Sequence, residues 1–226
     1  MQMANLERKN AVRQLAAGIA HEIRNPLTSI KGLLQLAKLR NNPSISAGHI
    51  ELMLSEIERI EALIGEFQTL ARPTQVLAFS VINLGELIRS QILLLEAAAY
   101  RRGAIIESEL NACRSVYGNE ASIKQVVLNL IKNAIEAAGE NGEVKVCLNE
   151  EAEFAVISVC DNGPGILPEH LKKLGTPFFT TKENGTGLGL AVCYQIIEKH
   201  KGKIEAKNQP GRGTCFSAWL PLVKDS

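Results

Sequence analysis

The chain has 226 residues, more than one minimal domain needs and about what two modest domains fill, since domains run roughly 100 to 200 residues. Apolar residues at 46% and charged residues at 22% exclude disorder over most of the length and supply enough side chain for a core. With 25 basic against 24 acidic residues, the net charge of +1 excludes a polybasic surface that would neutralise nucleic-acid phosphates, so no nucleic-acid partner is expected.

No run approaches the roughly 18 apolar residues that cross a bilayer, and the amino terminus lacks the residue order of a signal peptide. The expectation is a soluble, cytoplasmic piece without direct membrane contact, any membrane anchor belonging to a longer parent. The five cysteines (Cys113, Cys147, Cys160, Cys193 and Cys215) are odd in number, widely spaced and without a Cys-x-x-Cys pair. They read as small core residues in a reducing compartment, with neither a disulfide framework nor a zinc site expected.

From Leu6 to Ala71 there is almost no strand signal, and the sequence predicts two helices. Asn41, Asn42 and Pro43 break them, Ser44 is a candidate cap for the second, and Arg72-Pro73 stops it. On the first, with about 100° per residue, Ile19, Ile23, Leu27, Ile30 and Leu34 fall within an arc of roughly 80°. His21 lies nearly opposite that stripe, with Asn25 and Thr28 within about 40° of it, so the imidazole is expected in solvent. Pro26 removes a helical hydrogen bond one turn later, where a bend is expected. A histidine with an unperturbed pKa of about 6.5 is largely free base at neutral pH and a competent nucleophile toward phosphorus. Glu22 beside it is placed to accept the other ring proton.

The second helix carries Ile50, Met53, Ile57, Ile60, Ile64 and Phe67 at alternating steps of three and four, a heptad seam. Two such helices have too little core to stand alone. A second copy of the chain, completing a four-helix bundle, is therefore expected.

After Thr74 short β-rich runs alternate with helical ones. Strands are predicted at 79–82, 104–110, 144–148, 154–160, 203–207 and 214–220, and helices at 84–101, 120–138 and 186–200. Phe216 and Trp219 in the last strand read as core, and His49, His170 and His200 as residues without chemistry. The Gly/Pro-rich stretch from Asn162 to Gly185 is long enough to be a functional lid.

The helix from Glu120 places Asn129, Asn133 and Glu136 on one side, with Lys132 between. An asparagine carbonyl is a hard oxygen ligand suited to Mg²⁺, although asparagines four apart also make an ordinary polar face. The strand ending at Cys160 runs into Asp161, Gly163, Gly165 and Ile166, where a carboxylate can accept from an exocyclic amine and glycines admit a flat ring, or which forms a plain turn. Next come Pro177-Phe178-Phe179, Thr181 and Lys182, then Gly185-Thr186-Gly187-Leu188-Gly189 opening a helix, where amide donors favour phosphate. This is neither a P-loop nor a Rossmann fingerprint.

In order and spacing, Asn129/Asn133, Asp161-x-Gly163-x-Gly165, Pro177-Phe178-Phe179 and Gly185-x-Gly187-x-Gly189 resemble the N, G1, F and G2 boxes of sensor histidine kinases. His21-Glu22-Ile23-Arg24-Asn25-Pro26 resembles their H box. The resemblance spans residues 8–222 and implies a multidomain α and α+β protein. Residues 1–72 would be a dimerisation and histidine-phosphotransfer hairpin and 73–77 a linker. Residues 78–226 would be an ATP-binding domain of the gyrase, chaperone, kinase and mismatch-repair type, an α/β sandwich with a mixed sheet and an ATP lid.

The resemblance further implies that His21 takes the γ-phosphoryl group of ATP and passes it to an aspartate of a response-regulator receiver domain. Glu22 would assist, and Asn25 would orient water for dephosphorylating that partner. Asn133 would bind Mg²⁺, with Asn129 and Lys132 beside it. Asp161 would read adenine in a pocket shaped by Gly163, Gly165 and Ile166. Phe178, Thr181, Lys182, Gly185, Thr186, Gly187, Leu188 and Gly189 would form the lid and phosphate side. Within the family, the residues around His21 and the end of the N box look most like sporulation kinases, implying a phosphorelay and a hairpin open to inhibitor proteins. The other reading is an ATP-driven clamp or chaperone of the same nucleotide fold, with His21 a bystander.

Overall fold

The structure is a computed structural model that describes residues 2–39, 46–71, 78–182, 185–209 and 213–223. The predicted break and cap at 41–44, the helix stop at Arg72-Pro73 and the linker at 73–77 lie outside the described residues, as does the side chain of His21. Among the described residues no helix is long and apolar enough to cross a membrane.

The chain divides into two compact units, one of residues 1–73 with Pro177–Leu188, the other of Thr74–Thr176 with 189–226. In the first, α1 (Gln2–Leu39) and α2 (Ala47–Ala71) form the helical hairpin. The start of α2 is capped by Ser46, whose Oγ accepts the amide of His49 at 3.3 Å. Helix α1 runs through Pro26, which is buried, and the Thr28 hydroxyl donates to the Arg24 carbonyl at 2.8 Å. Of the predicted stripe, Ile19 is buried, while Leu27 and Leu34 are 52% and 49% exposed.

The second unit is an α/β sandwich. Its elements are β1 (Ser80–Ile82), α3 (Leu84–Arg101), β2 (Ile105–Leu110), β3 (Val116–Gly118), α4 (Glu120–Ala138), β4 (Glu143–Glu151), β5 (Phe154–Asp161), α5 (Pro168–Leu171), α6 (Gly189–Lys199), β6 (Lys203–Asn208) and β7 (Thr214–Pro221). Five strands form one sheet in the order β2-β4-β5-β7-β6, parallel between β2 and β4 and antiparallel elsewhere, hence mixed. Asparagine caps fix where the long helices start: Asn83 Oδ1 accepts the Glu86 amide at 3.2 Å and Asn119 Oδ1 the Ser122 amide at 2.9 Å. Helix α4 buries Ile123, Val126, Val127, Leu130 and Ile131. Burial of each such side chain stabilises by roughly 1.5–3 kcal/mol.

Several expectations are corrected here. Strand β3 was not anticipated; it pairs with β1 in a separate two-stranded ribbon. Helix α6 opens at Gly189 rather than 186, because Gly187 sits at φ +65°, a conformation no helix uses. Trp219 lies on the opposite face from the buried Phe216, as the period of two requires, with Lys203 Nζ 4.3 Å above its ring. Cys160 and Cys215 are not scattered core residues: they oppose each other across β5 and β7 and form a disulfide. His200, by contrast, is a core residue in keeping with its reading: it is buried, with Nε2 accepting the Asn119 amide at 2.9 Å and its ring stacked on Phe79.

Candidate functional site

In the second unit the candidate residues lie along the second half of α4, from Asn129 at its middle to Ala137 near its end. Strand β5 ends at Asp161, which is 5% exposed, and its Oδ1 accepts the Gly163 amide at 2.9 Å and the Thr214 amide at 3.3 Å. The turn that follows is pressed against its surroundings. A Cβ on Gly163 would fall onto the Ala137 carbonyl near the end of α4, and one on Gly213 would fall onto Asp161 itself. Gly165 at φ +81° turns the chain in the left-handed region, which a side chain would disfavour. The amide of Ile166 donates to Asn208 Oδ1 at 2.9 Å. Asn162 ties the same turn to β4, its Oδ1 accepting the Glu143 amide at 2.9 Å.

Two turns earlier on α4, the half-buried Asn129 donates from Nδ2 to the carbonyl of Gly189, the first residue of α6, at 3.2 Å. Asn133 is half-buried one turn further along, and Lys132 points outward. Helix α4 therefore touches the Asp161 turn at Ala137 and the start of α6 at Asn129. These contacts are eight residues, or about 12 Å, apart along its axis. The arrangement puts a buried carboxylate between packed glycines at one end and the positive end of a helix near the other.

The remaining candidate residues, those expected on the phosphate side, belong to the first unit. Pro177–Leu188 groups with the hairpin. Leu188 is fully buried in a cluster with Ile19 and Leu63, and Phe178, Ile23 and Phe67 pack against it. The Phe178 ring covers Gly18, where any side chain would meet it. Phe178 itself is held at φ +65°, unusual for a bulky residue, while its amide donates to the Gly187 carbonyl at 3.0 Å and closes the segment into a loop. Inside that loop the Gly185 amide donates to the Lys182 carbonyl at 3.2 Å and the Leu188 amide to Thr186 Oγ1 at 3.2 Å, with Thr181 and Lys182 exposed. The apolar side chains decide the grouping: Phe178 and Leu188 bury against α1 and α2.

On α1, one turn separates His21 from the exposed Asn25, and Glu22 is half-buried. Sequence reasoning missed Asn162, Asn208, Gly213 and Thr214. The signal for the last two was a glycine and a threonine opening a strand whose partner ends in Asp161.

Residues 11–75 match the model of the His Kinase A (phospho-acceptor) domain, and residues 118–224 that of the histidine kinase-, DNA gyrase B-, and HSP90-like ATPase. Sporulation kinase C of Bacillus subtilis (strain 168) is 41% identical over 216 residues, covering 94% of this chain and 50% of that protein. Sensor histidine kinase ZraS of Escherichia coli (strain K12) is 38% identical over 223 residues, covering 98% of this chain and 48% of that protein. The crystal structure of histidine kinase ThkA in complex with response regulator protein TrrA is matched with a TM-score of 0.80 at 32% identity, over 99% of this chain and 67% of that one. The chain spans half or less of the length of these curated relatives.

Proposed function

The chain belongs to the histidine kinases, and from that premise we propose that it is an ATP-dependent autokinase that phosphorylates His21 and transfers the group to an aspartate of a response-regulator receiver domain. The observation that carries the nucleotide half is Asp161: a nearly buried carboxylate at a strand end, hemmed by Gly163 and Gly213. Such a group accepts a hydrogen bond from an exocyclic amine and lets the base lie flat on backbone. The triphosphate then runs along α4 toward the start of α6, over the roughly 12 Å that separates Ala137 from Asn129. The donor chemistry fits Mg²⁺ delivered with the nucleotide, since α4 offers the hard amide oxygens of Asn129 and Asn133 on one side. The Asn133 amide oxygen would supply one hard ligand, and the ion, when bound, would neutralise phosphate charge.

His21 provides the nucleophile. Its ring nitrogen forms the bond to the γ-phosphorus as the bond to the β-phosphate oxygen breaks, ADP leaves, and Glu22 accepts the ring's other proton. Asn25 orients water for the reverse duty, dephosphorylating the partner. Thr181, Lys182 and the glycines at 185, 187 and 189 are the residues that the family resemblance assigns to the lid and phosphate side. The hairpin dimerises through the seam of α2, the receiver domain docks on it, and the same surface suits an inhibitor protein. The relatives' names and the residues around His21 favour a sporulation phosphorelay.

Incubation with γ-labelled ATP and Mg²⁺ tests this. The expected product is an acid-labile, base-stable label that His21→Gln abolishes completely. ATP turnover that survives His21→Gln, with no label on the wild-type chain, would instead identify an ATP-driven clamp.

A further inference from the structure

We infer that Asn208 is a positioning residue for the base end of the nucleotide pocket, holding the turn after Asp161 in its binding conformation. The inference rests on reading that pocket as an adenine site. Asn208 ends β6, where its backbone pairs with Thr214. Its side chain reaches across to a turn 42 residues away. Oδ1 accepts the Ile166 amide at 2.9 Å and Nδ2 donates to the Ile166 carbonyl at 2.5 Å. The amide thus imitates a neighbouring strand, giving one backbone residue both of its hydrogen bonds. The same Oδ1 accepts the Thr214 hydroxyl at 3.3 Å, and the Thr214 amide donates to Asp161 Oδ1, which also receives Gly163. Ile166, Asn208, Thr214, Asp161 and Gly163 therefore form one hydrogen-bonded circuit around the turn.

Asn162 ties the start of the turn to β4, but the far side of the turn, from Gly165 on, depends on that circuit. The turn contains Gly163, Pro164 and Gly165, and fixing each backbone residue in one conformation costs conformational entropy. Asp161 is anchored by the sheet, but Gly165 and Ile166 lie beyond the last ladder bond of β5. Gly165 also stands close against Asn208: a Cβ there would sit 3.3 Å from Oδ1. A pocket wall ordered in advance lets the base bind without ordering it first, which is how preorganisation raises affinity.

The test uses the full chain. ATP affinity is measured by calorimetry, and the initial rate of labelling from γ-labelled ATP is followed across ATP concentration, for wild type, Asn208→Ala and Asn208→Gln. Losing two neutral hydrogen bonds is expected to weaken ATP binding about tenfold and raise KM equally. The saturating rate should stay unchanged while the thermal midpoint falls by a few degrees, and Asn208→Gln, with its amide one methylene further out, should fall between. The Ile166 amide should also lose hydrogen-exchange protection in Asn208→Ala. Wild-type affinity in Asn208→Ala, or a loss of saturating rate in the same proportion as affinity, overturns the inference while leaving the adenine site standing. Absence of ATP binding by the wild-type chain overturns the adenine reading and this inference with it; retained binding lost in Asp161→Asn secures the former independently.

Discussion

In the α/β unit Leu130 and Ile131 of α4 are closed off from solvent by their own chain, whereas in the hairpin Ile50, Ile57 and Ile64 of α2 stay 45%, 44% and 41% exposed. Both helices are amphipathic and of comparable apolar content, so the contrast is one of partners, not composition. Helix α4 has a sheet and two further helices to cover it. Helix α2 has α1 and the short loop 177–188, which together bury Leu63 and partly cover Phe67 but leave Ile50, Ile57 and Ile64 of the seam open. A heptad seam left uncovered within one chain is what a second copy would cover, and the proposed dimer rests on that.

The comparison can be broken most forcefully in the closed unit. Leu130→Ala should cost about 2–5 kcal/mol, read as a lowered thermal midpoint independent of protein concentration, because it leaves a cavity that nothing else fills. Ile57→Ala in the seam should behave differently. Removing an interfacial side chain twice over in a symmetric dimer should cost about 3 kcal/mol of association, or roughly a hundredfold in the dissociation constant measured by sedimentation. Equal midpoints for wild type at all concentrations would reject the dimer.

The smallest effect is a pH dependence confined to the α/β unit. Burial lowers the pKa of His200 below its usual 6.5, opposed by the hydrogen bond to the Ile196 carbonyl and aided by nearby Lys199. The folded form thus binds its proton less readily than the unfolded chain. Its contribution is complete above about pH 6.5 and lost as pH falls from there toward the folded value, with a slope of at most about 1.4 kcal/mol per pH unit. Protonation also turns Nε2 into a donor facing the Asn119 amide, at the cap of α4. His200→Gln should flatten the slope in thermal melts between pH 7.5 and 5.5 if this account holds.

Much of this organisation was legible in the residues. Helices α3 and α4 match the expected bounds because an asparagine cap and a glycine mark their limits, and these are local signals. Strand β3 was not legible, since three residues carry no period and form only by pairing with β1. The link between Cys160 and Cys215 follows from strand register, which spacing does not reveal. Asp161 and its glycines stood out as a compact motif, but Asn208 and Thr214 come from strands more than 45 residues later and join the site only through the sheet. The grouping of Phe178 and Leu188 with Ile19 and Leu63 is likewise a matter of tertiary burial.

Because Pro177–Leu188 belongs with the hairpin, the polypeptide passes from one unit to the other after Pro73, after Thr176 and after Leu188. A protease nicking once near residue 73 would leave residues 1–73 held only by noncovalent packing, chiefly of Ile19 and Leu63 against Phe178 and Leu188. Trimming the chain to residues 74–226 would strip Phe178 and Leu188 of their oily seat on α1 and α2. A shortened version prepared for nucleotide studies should therefore carry a stickier surface than the full chain.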